Sequence, residues 1–312
     1  KIENANNQYG NLGFMDAVKV YERVAEKGNG TSEIYQKLAN SYYFNGDYQN
    51  ASKWFSELFN TNQTESIDAE VYYRYSQSLK STGDLDKSNL YFEKFSKMKP
   101  NDSRSLYFKE NRNYLSEIED NSGRYYIETT TINSKMSDFG ASFYQDKLVF
   151  ASSKSKDAIH NWTKQPFTDL YFAKLDSLGN LSDVSAFDKK INSKLNESTA
   201  TFTKDGNTMY FTRNNIIGKR PDKNNEDEVV LKIYKATKNQ KTQKWENIEE
   251  LSINSDDFNT AHPVLSPNED YLYFASDRPG GFGESDLYKV RINNESFGEP
   301  ENLGKLINTP AK

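Results

Sequence analysis

Few side chains in this sequence could carry out catalysis. The chain has 312 residues, with only two histidines, His160 and His262, and no cysteine. A three-histidine zinc site therefore cannot form within one chain, and disulfides, thiolate-held metals and a cysteine nucleophile are excluded. A Ser-His-Asp triad could combine His262 with Ser266 and a nearby aspartate. However, Pro267 directly after Ser266 is typical of a hairpin turn rather than of a strained nucleophile turn.

Acidic and glycine-rich segments near the C-terminus give three further candidate sites. Asp256-Asp257 could do the paired-acid chemistry of a glycosidase, but two earlier sequence copies carry no acid there, which favours a loop. The glycines of segment 280–283 do not lie between a strand and a helix, so a hairpin is favoured over a phosphate-binding loop. Asp277 and Asp286 bracket that segment and could bind Ca²⁺, although their spacing matches no established ligand loop. We therefore expect a protein that is not an enzyme, with no catalytic residue, no metal and no cofactor.

Charge and hydropathy exclude two further classes of partner. The formal net charge is -5, whereas a general nucleic-acid binder needs a basic face that neutralises phosphates. The sequence contains no apolar run of the roughly 20 residues that span a bilayer. We therefore predict that the protein binds no nucleic acid and does not itself cross a membrane. The 21 Tyr and 19 Phe supply both core and contact surface.

The first 120 residues follow a helical repeat. Apolar residues recur at three- and four-residue steps, and Gly46-Asp47 and Gly83-Asp84 interrupt the pattern as turns between antiparallel helices would. A period of about 34 residues is the signature of tetratricopeptide repeats. The repeated core positions of the two clearest copies are Tyr35, Leu38, Ala39, Tyr42, Ala51, Trp54, Phe55 and Tyr72, Tyr75, Leu79, Ser88, Phe92, Phe95. We also expect a closing helix over 103–119.

The helical phase predicts which residues line the groove of this array. In such repeats the first helix of each pair lies on the concave side. Amides can pair with the backbone of an extended peptide, and tyrosine rings offer rigid contact area. The predicted inward residues are Gln36, Asn40, Tyr43, Tyr73, Gln77 and Lys80. We predict that a peptide or a partner loop binds here; an unoccupied, solvated face is the alternative.

Beyond residue 121 the pattern changes from helical to alternating. The triplet Ile-Asn-Ser/Thr recurs at Ile132, Ile191, Ile253 and Ile307, and the first three copies each precede three apolar β-runs. Turn sequences such as Asp-Gly separate the first two runs. Short antiparallel strands repeated at a fixed phase are typical of β-propeller blades. We expect three complete blades and the start of a fourth, so that the chain stops before the propeller closes.

Particular segments add a family resemblance. Segment 275–283 resembles the TolB/WD-like class of propeller repeats, and segments 125–127, 132–144 and 205–214, after helical repeats, resemble the OmpA-family envelope proteins of Bacteroidota. The resemblance implies a periplasmic protein associated with the outer membrane, with relatives linked to type IX secretion and gliding motility. It also implies a PorP/SprF-type outer-membrane barrel as partner. Peptidoglycan binding would require an OmpA-like domain that these residues do not contain.

Together these patterns predict an α + β multidomain protein: an α-solenoid of tetratricopeptide-like repeats over 1–120, then β-propeller blades over 121–312. The favoured function is a non-catalytic scaffold or adaptor, in which the blade-loop aromatics Phe258 and Phe282 help to bind the barrel partner, because aromatic anchors are typical of interface hot spots. A propeller-based hydrolase, or an accessory domain of a peptidase, is the alternative.

Overall fold

The contacts within the chain divide it into two compact units. The computed structural model describes residues 1–61, 67–111, 114–154, 158–217, 220–224, 228–293 and 296–310. The first unit contains Lys1–Ser122 together with the segment Ile159–Gln165, and the second contains Gly123–Ala158 and Pro166–Lys312. None of the helices in these described residues is long and apolar enough to cross a membrane.

The first unit is built from antiparallel helix pairs. The helices are α1 (Ile2–Gly10), α2 (Phe14–Val24, continued by one π turn), α3 (Ser32–Phe44), α4 (Tyr48–Asn60), α5 (Ala69–Ser81), α6 (Leu85–Met98), α7 (Ser103–Glu110) and α8 (Tyr114–Asp120). The expected closing helix over 103–119 is thus two short helices. Each Gly-Asp turn has a physical role: Gly46 and Gly83 adopt positive φ angles of 73° and 87°, which only glycine adopts readily. Asp47 and Asp84 then cap the next helix by accepting a backbone N–H.

The helical core contains the side chains that the repeat pattern selects. Leu38, Ala39, Ala51 and Phe55 are fully buried in one cluster, which extends to Tyr75, whereas Tyr35 and Tyr72 pack against it and are only partly buried. At the crossing of α5 and α6 the repeat has a serine where alanine is usual. The Ser88 hydroxyl there donates to the carbonyl of Ser76 at 2.9 Å. Because this buried hydroxyl is hydrogen-bonded, the substitution avoids the penalty of an unsatisfied polar group.

The described part of the second unit contains three antiparallel sheets of four or more strands, called sheets I, II and III, and one two-stranded hairpin. Their strands are β1 (Asp138–Tyr144), β2 (Lys147–Ser152), β3 (Asp169–Leu175), β4 (Leu181–Ala186), β5 (Glu197–Phe202), β6 (Thr208–Asn214), β7 (Ile216–Ile217), β8 (Arg220–Pro221), β9 (Leu231–Lys238), β10 (Trp245–Glu250), β11 (Thr260–Leu265), β12 (Tyr271–Ser276), β13 (Asp286–Asn293), β14 (Ser296–Phe297) and β15 (Glu301–Asn302). Sheet I has the order β1-β2-β3-β4, sheet II the order β5-β6-β9-β10, and sheet III the order β11-β12-β13, with β14 and β15 both pairing with β13. β7 and β8 form a separate hairpin in the segment that connects β6 to β9.

The sequence prediction of a helical repeat region followed by a sheet-rich region is confirmed. The three described sheets are open, and no closed ring forms within the described residues. The first strand of each sheet carries a one-residue bulge at the same point, as the register shifts between β1 and β2, β5 and β6, and β11 and β12 show. The residues with positive φ in these bulges are Gly140, Thr199 and His262.

The repeated triplet has a structural role that its sequence did not reveal. The Asn192 side chain accepts a hydrogen bond from the backbone N–H of Leu170 at 2.9 Å and donates one to the Leu170 carbonyl at 3.0 Å. Asn254 makes the same two bonds to Ile233, and Asn308 makes them to Leu287. Each asparagine therefore pairs with the third strand of the preceding sheet as a neighbouring strand would. We call this contact the asparagine clamp.

Apolar side chains fill the spaces between neighbouring sheets. Ile191, the first residue of one triplet, is buried with Phe211 between sheets I and II. Ile253, the first residue of the next, is buried with Leu272 and Phe274 between sheets II and III. The triplet thus contributes an apolar anchor and a polar clamp to each junction between sheets.

Candidate functional site

The six predicted groove residues lie on the first helices of two successive repeats. Gln36, Asn40 and Tyr43 belong to α3, and Tyr73, Gln77 and Lys80 belong to α5. Their exposure differs. The set comprises one buried residue, Asn40, one exposed residue, Lys80, and four half-buried residues, Gln36, Tyr43, Tyr73 and Gln77.

The Asn40 amide is occupied by intramolecular hydrogen bonds. Its Nδ2 donates to the hydroxyl of Tyr9 at 3.5 Å, and its Oδ1 accepts from the Arg74 guanidinium at 3.1 Å. Arg74 also lies 4.8 Å from the ring centroid of Phe44. These contacts join α1, α3 and α5, so Asn40 helps to hold these three helices together.

Tyr43 and Tyr73 each lie in an aromatic environment that restricts their movement. Tyr43 packs edge-on against Phe44 and Tyr48, with ring centroids 5.8 and 5.6 Å apart. Burial raises the pKa of the Tyr43 hydroxyl to about 12. Burial also raises the pKa of Tyr73, whose ring lies 4.4 Å below the guanidinium of Arg104. Both hydroxyls are neutral at physiological pH, so each can donate a hydrogen bond to a peptide carbonyl.

Arg104 contacts the predicted groove residue Tyr73, and the sequence patterns did not identify it. Its guanidinium donates to both carboxylate oxygens of Glu70, at 3.0 and 2.6 Å, and to Asp102 at 2.8 Å. Although burial opposes its charge, hydrogen bonds to Asp102 and Glu70 raise its pKa above the ordinary value. Glu70 and Arg104 are 34 residues apart, as are Asn40 and Arg74. In both pairs an arginine follows its polar partner by one repeat length. This spacing was a sequence signal that could have identified Arg74 and Arg104.

An aromatic side chain of the chain itself is bound by the first unit. Trp162, in the segment Ile159–Gln165, packs edge-on against Phe14 at 5.0 Å and against Phe44 at 6.4 Å. Lys164 in the same segment forms a 2.6 Å ion pair with Asp16. The hydrogen bond from Lys164 is the main cause of the lowered pKa of Asp16. The helical repeats therefore accommodate an aromatic ring beside a basic residue.

The two predicted blade-loop aromatics differ in their surroundings. Phe258 is half-buried, and the Arg278 guanidinium lies 5.0 Å from its ring. Phe282 is 49% exposed, and its backbone N–H donates to the buried carboxylate of Asp286 at 2.6 Å. Phe282 is therefore the more exposed of the two rings.

The residues considered for catalysis have structural partners. His262 Nδ1 lies 3.0 Å from the Thr199 hydroxyl, and burial lowers the His262 pKa. The Ser266 hydroxyl instead accepts a hydrogen bond from the backbone N–H of Tyr271 at 3.0 Å, as the hairpin interpretation of Ser266 requires. Asp256 forms a 2.5 Å ion pair with Lys232.

The carboxylates that bracket the glycine-rich segment bind protein donors. Asp286 accepts hydrogen bonds from the backbone of Phe282 and Gly283 and from the Asn302 amide. Asp277 accepts two from Asn259. The described residues contain no group of three or more His, Cys, Asp or Glu side chains that could hold a metal ion.

The helix geometry agrees with a comparison against protein families. The tetratricopeptide repeat model matches residues 32–64 and 69–102, which cover α3 to α6. The first unit contains tetratricopeptide repeats. Such repeats are protein-interaction modules whose stacked helix pairs form an extended concave surface. The match covers the six predicted groove residues, so these residues lie in repeats of a known kind.

Comparisons of the whole chain are less informative. No curated protein matches the sequence significantly. Among solved structures, the C-terminal part of a TPR repeat-containing protein from Cytophaga hutchinsonii is 16% identical, with a TM-score of 0.31, over 40% of this chain and 46% of that one. A puromycin-hydrolysing peptidase from Mycobacterium tuberculosis is 11% identical, with a TM-score of 0.33, over 56% of this chain and 24% of that one. A puromycin hydrolase is 10% identical, with a TM-score of 0.30, over 55% of this chain and 32% of that one. This chain spans less than half the length of each, and these TM-scores support no inference about activity.

Proposed function

We propose that this protein is a non-catalytic interaction scaffold that binds an extended polypeptide in the groove of its tetratricopeptide repeats. The observation that carries the proposal is the row of half-buried groove residues on α3 and α5, which combines two aromatic rings with side-chain amides. The tyrosines Tyr43 and Tyr73 offer rigid contact area, and Gln36 and Gln77 can pair with a peptide backbone. Lys80 adds an exposed positive charge at the end of this row.

The way in which the groove is held supports binding without rearrangement. Arg104 and Arg74 each join a repeat to its neighbour, and each guanidinium lies over an aromatic ring. A surface held in one geometry loses less entropy when a ligand binds. The helical repeats already bind one aromatic ring, since Trp162 packs against Phe14 and Phe44. This contact further supports a preference of the repeats for ligands that contain an aromatic residue.

The second unit and the cellular setting form the wider part of the proposal. We propose that sheets I to III are blades of a β-propeller, because each is an antiparallel meander with its first strand bulged at the same point. From the sequence resemblance to OmpA-family envelope proteins, we propose a periplasmic location at the outer membrane. The partner would be a PorP/SprF-type barrel, contacted in part by Phe258 and Phe282, with a role in type IX secretion or gliding motility.

A binding experiment on the full chain tests the groove. Peptides selected from a random library against the wild-type protein should lose about ten-fold in affinity with Tyr43→Ala, because aromatic residues carry much of the energy of an interface. They should lose about as much with Lys80→Glu, because this change reverses the charge at the end of the row. Lys97→Glu is the matched control, because it makes the same charge reversal on α6, the second helix of the repeat, and should change affinity less than two-fold. Equal losses for Lys80→Glu and Lys97→Glu, or no selected peptide at all, would refute the proposal.

A further inference from the structure

Each sheet of the second unit places a cation over an aromatic pair. In sheet II the Arg213 guanidinium lies 5.0 Å from the Phe211 ring and 5.3 Å from the Tyr234 ring. It donates to the backbone carbonyl of Ile191, in the sequence triplet. It also forms a 3.0 Å ion pair with Glu197, which is fully buried. The positive charge on the aromatic pair thus has a carboxylate partner at the start of β5.

Sheet I has the same arrangement with different residue types. The Lys154 ammonium lies 5.5 Å from the Phe150 ring and 4.0 Å from the Tyr171 ring, and these two aromatic residues are register partners like those of sheet II. Burial lowers the pKa of Lys154, and the negative charge of Asp138 acts in the opposite direction. Asp138 begins β1 as Glu197 begins β5, so the carboxylate is again supplied by the first residue of the first strand.

Sheet III has the cation and the aromatic pair but not the acid. Arg278 lies 5.0 Å from the Phe274 ring and 4.9 Å from the Tyr288 ring, and it donates to the carbonyl of Ile253 in the triplet, as Arg213 does to Ile191. Within the described residues it forms no ion pair. Burial lowers the pKa of Arg278, and the nearby Tyr288 acts in the opposite direction.

Thr260 occupies the position where the acid is missing. It begins β11 and pairs in register with Ser276, as Asp138 pairs with Ser152 in sheet I. Arg278 follows Ser276 by two residues, as Lys154 follows Ser152. Thr260 is fully buried, and its hydroxyl has no hydrogen-bond partner among the residues that the structure describes. A buried polar group without a partner costs about 1–3 kcal/mol and is rare in folded proteins. The Arg278 Nε–H donates to the hydroxyl of Ser276, the register partner of Thr260, at 3.1 Å. The unpartnered hydroxyl therefore lies beside the residue that holds a guanidinium without a carboxylate.

We propose that this site in sheet III binds a carboxylate from outside the chain. The carboxylate would pair with the Arg278 guanidinium and accept a hydrogen bond from the Thr260 hydroxyl, in the role that Glu197 fills in sheet II. The ligand is either a free small carboxylate or a glutamate or aspartate side chain of a polypeptide. This inference is independent of the groove function proposed above, because it concerns only residues of the second unit.

Nitrogen-15 NMR of the full chain tests the site directly. The Arg278 Nε–H resonance, assigned with Arg278→Lys, is followed while sodium acetate replaces sodium chloride at constant ionic strength. We expect a saturable shift at Arg278 and none at Arg213, whose guanidinium already has Glu197. A capped peptide with one glutamate, compared with the same peptide carrying glutamine, then separates the two sources of the carboxylate. If the glutamate peptide binds more tightly than acetate, the ligand is a polypeptide. If the two bind equally, the ligand is a free small carboxylate. An acetate response no different from that of chloride would overturn the proposal.

Three variants separate this site from general charge effects. Thr260→Glu supplies the missing carboxylate from within, so it should abolish the acetate response. Val264→Glu is the matched control, since it adds the same charge to β11 about 13 Å along the strand and should leave the response intact. Should Thr260→Glu fail to fold, as judged by the Arg213 resonance, Thr260→Val decides: losing one hydrogen bond to a charged group should weaken acetate binding about ten-fold. An unchanged acetate affinity in Thr260→Val, or a wild-type response in folded Thr260→Glu, would contradict the proposal.

Discussion

Replacing Asn254 by alanine should measure what the asparagine clamp contributes to the second unit. In the wild type, the Asn254 side chain accepts from the Ile233 N–H at 3.0 Å and donates to the Ile233 carbonyl at 2.8 Å. Ile233 is fully buried, so solvent cannot replace the lost partner. The carbonyl keeps a second hydrogen bond, from the backbone N–H of Leu251 at 3.1 Å, whereas the N–H is left without a partner.

The expected loss follows from these two bonds. An orphaned buried N–H costs about 1–3 kcal/mol, and the lost bond to a carbonyl that stays satisfied costs about 0.5–1.5 kcal/mol. We therefore predict that Asn254→Ala lowers the free energy of unfolding of the second unit by roughly 2–4 kcal/mol. Urea denaturation followed by tryptophan fluorescence gives this quantity, since Trp245 is buried in the same unit. Amide hydrogen exchange should also quicken at Ile233.

Asn133 provides a matched control within the same repeated triplet. It is exposed, and its side chain accepts a hydrogen bond from the Thr130 hydroxyl. Asn133→Ala should therefore change stability by less than about 0.5 kcal/mol. A loss below about 0.5 kcal/mol for Asn254→Ala, or equal losses for both variants, would refute the reasoning that the triplet's asparagine stabilises the junction between sheets.

Three further predictions concern the helical unit. Arg104→Met should lower the stability of this unit by about 3 kcal/mol, because it leaves the Asp102 carboxylate, whose side chain is only 11% exposed, without its cation. Lys19→Met, whose side chain is 72% exposed, should cost under about 0.5 kcal/mol; chemical denaturation compares the two variants, and similar costs would contradict the argument. Burial raises the pKa of Tyr21 and Tyr43 to about 12. The stability of the helical unit should therefore be unaffected below the unfolded-state pKa near 10 and should fall as pH rises from there toward 12. In alkaline denaturation, stability that stays constant over this range would show that folding does not raise the pKa of these tyrosines. Gly83→Ala, at a φ of 87°, should lower the free energy of unfolding by about 1 kcal/mol. Gly10→Ala, whose new Cβ meets nothing within 4 Å, should leave it unchanged, and equal melting temperatures for the two variants would argue against a strained turn at Gly83.

Strand positions and helix positions could largely be predicted from side-chain periodicity, because both reflect burial on one face. The three runs predicted for each copy correspond to β1–β3, β5, β6, β9 and β11–β13. The fourth strands were missed. β4, for example, reads Leu-Ser-Asp-Val-Ser-Ala and buries none of its residues fully, so it leaves little apolar alternation for a pattern to detect.

Interactions between distant residues explain what else could not be predicted. Helical phase placed Asn40 on the groove side of α3, but its burial depends on Arg74, one repeat later in the chain. The missing acid at Thr260 likewise becomes visible only once strand register aligns it with Glu197. Periodicity reports which face a side chain occupies, whereas partner identity depends on the tertiary contacts.

Photo-crosslinking in the native cell tests the central claim, that the groove of the helical repeats binds a polypeptide. A photoreactive phenylalanine analogue replaces Gln77, which is half-buried on α5, or Asp86, which is exposed on α6. The groove account predicts a discrete crosslinked polypeptide from position 77, identified by mass spectrometry, and none from position 86. Equal adducts at both positions, or adducts from position 86 alone, would contradict it.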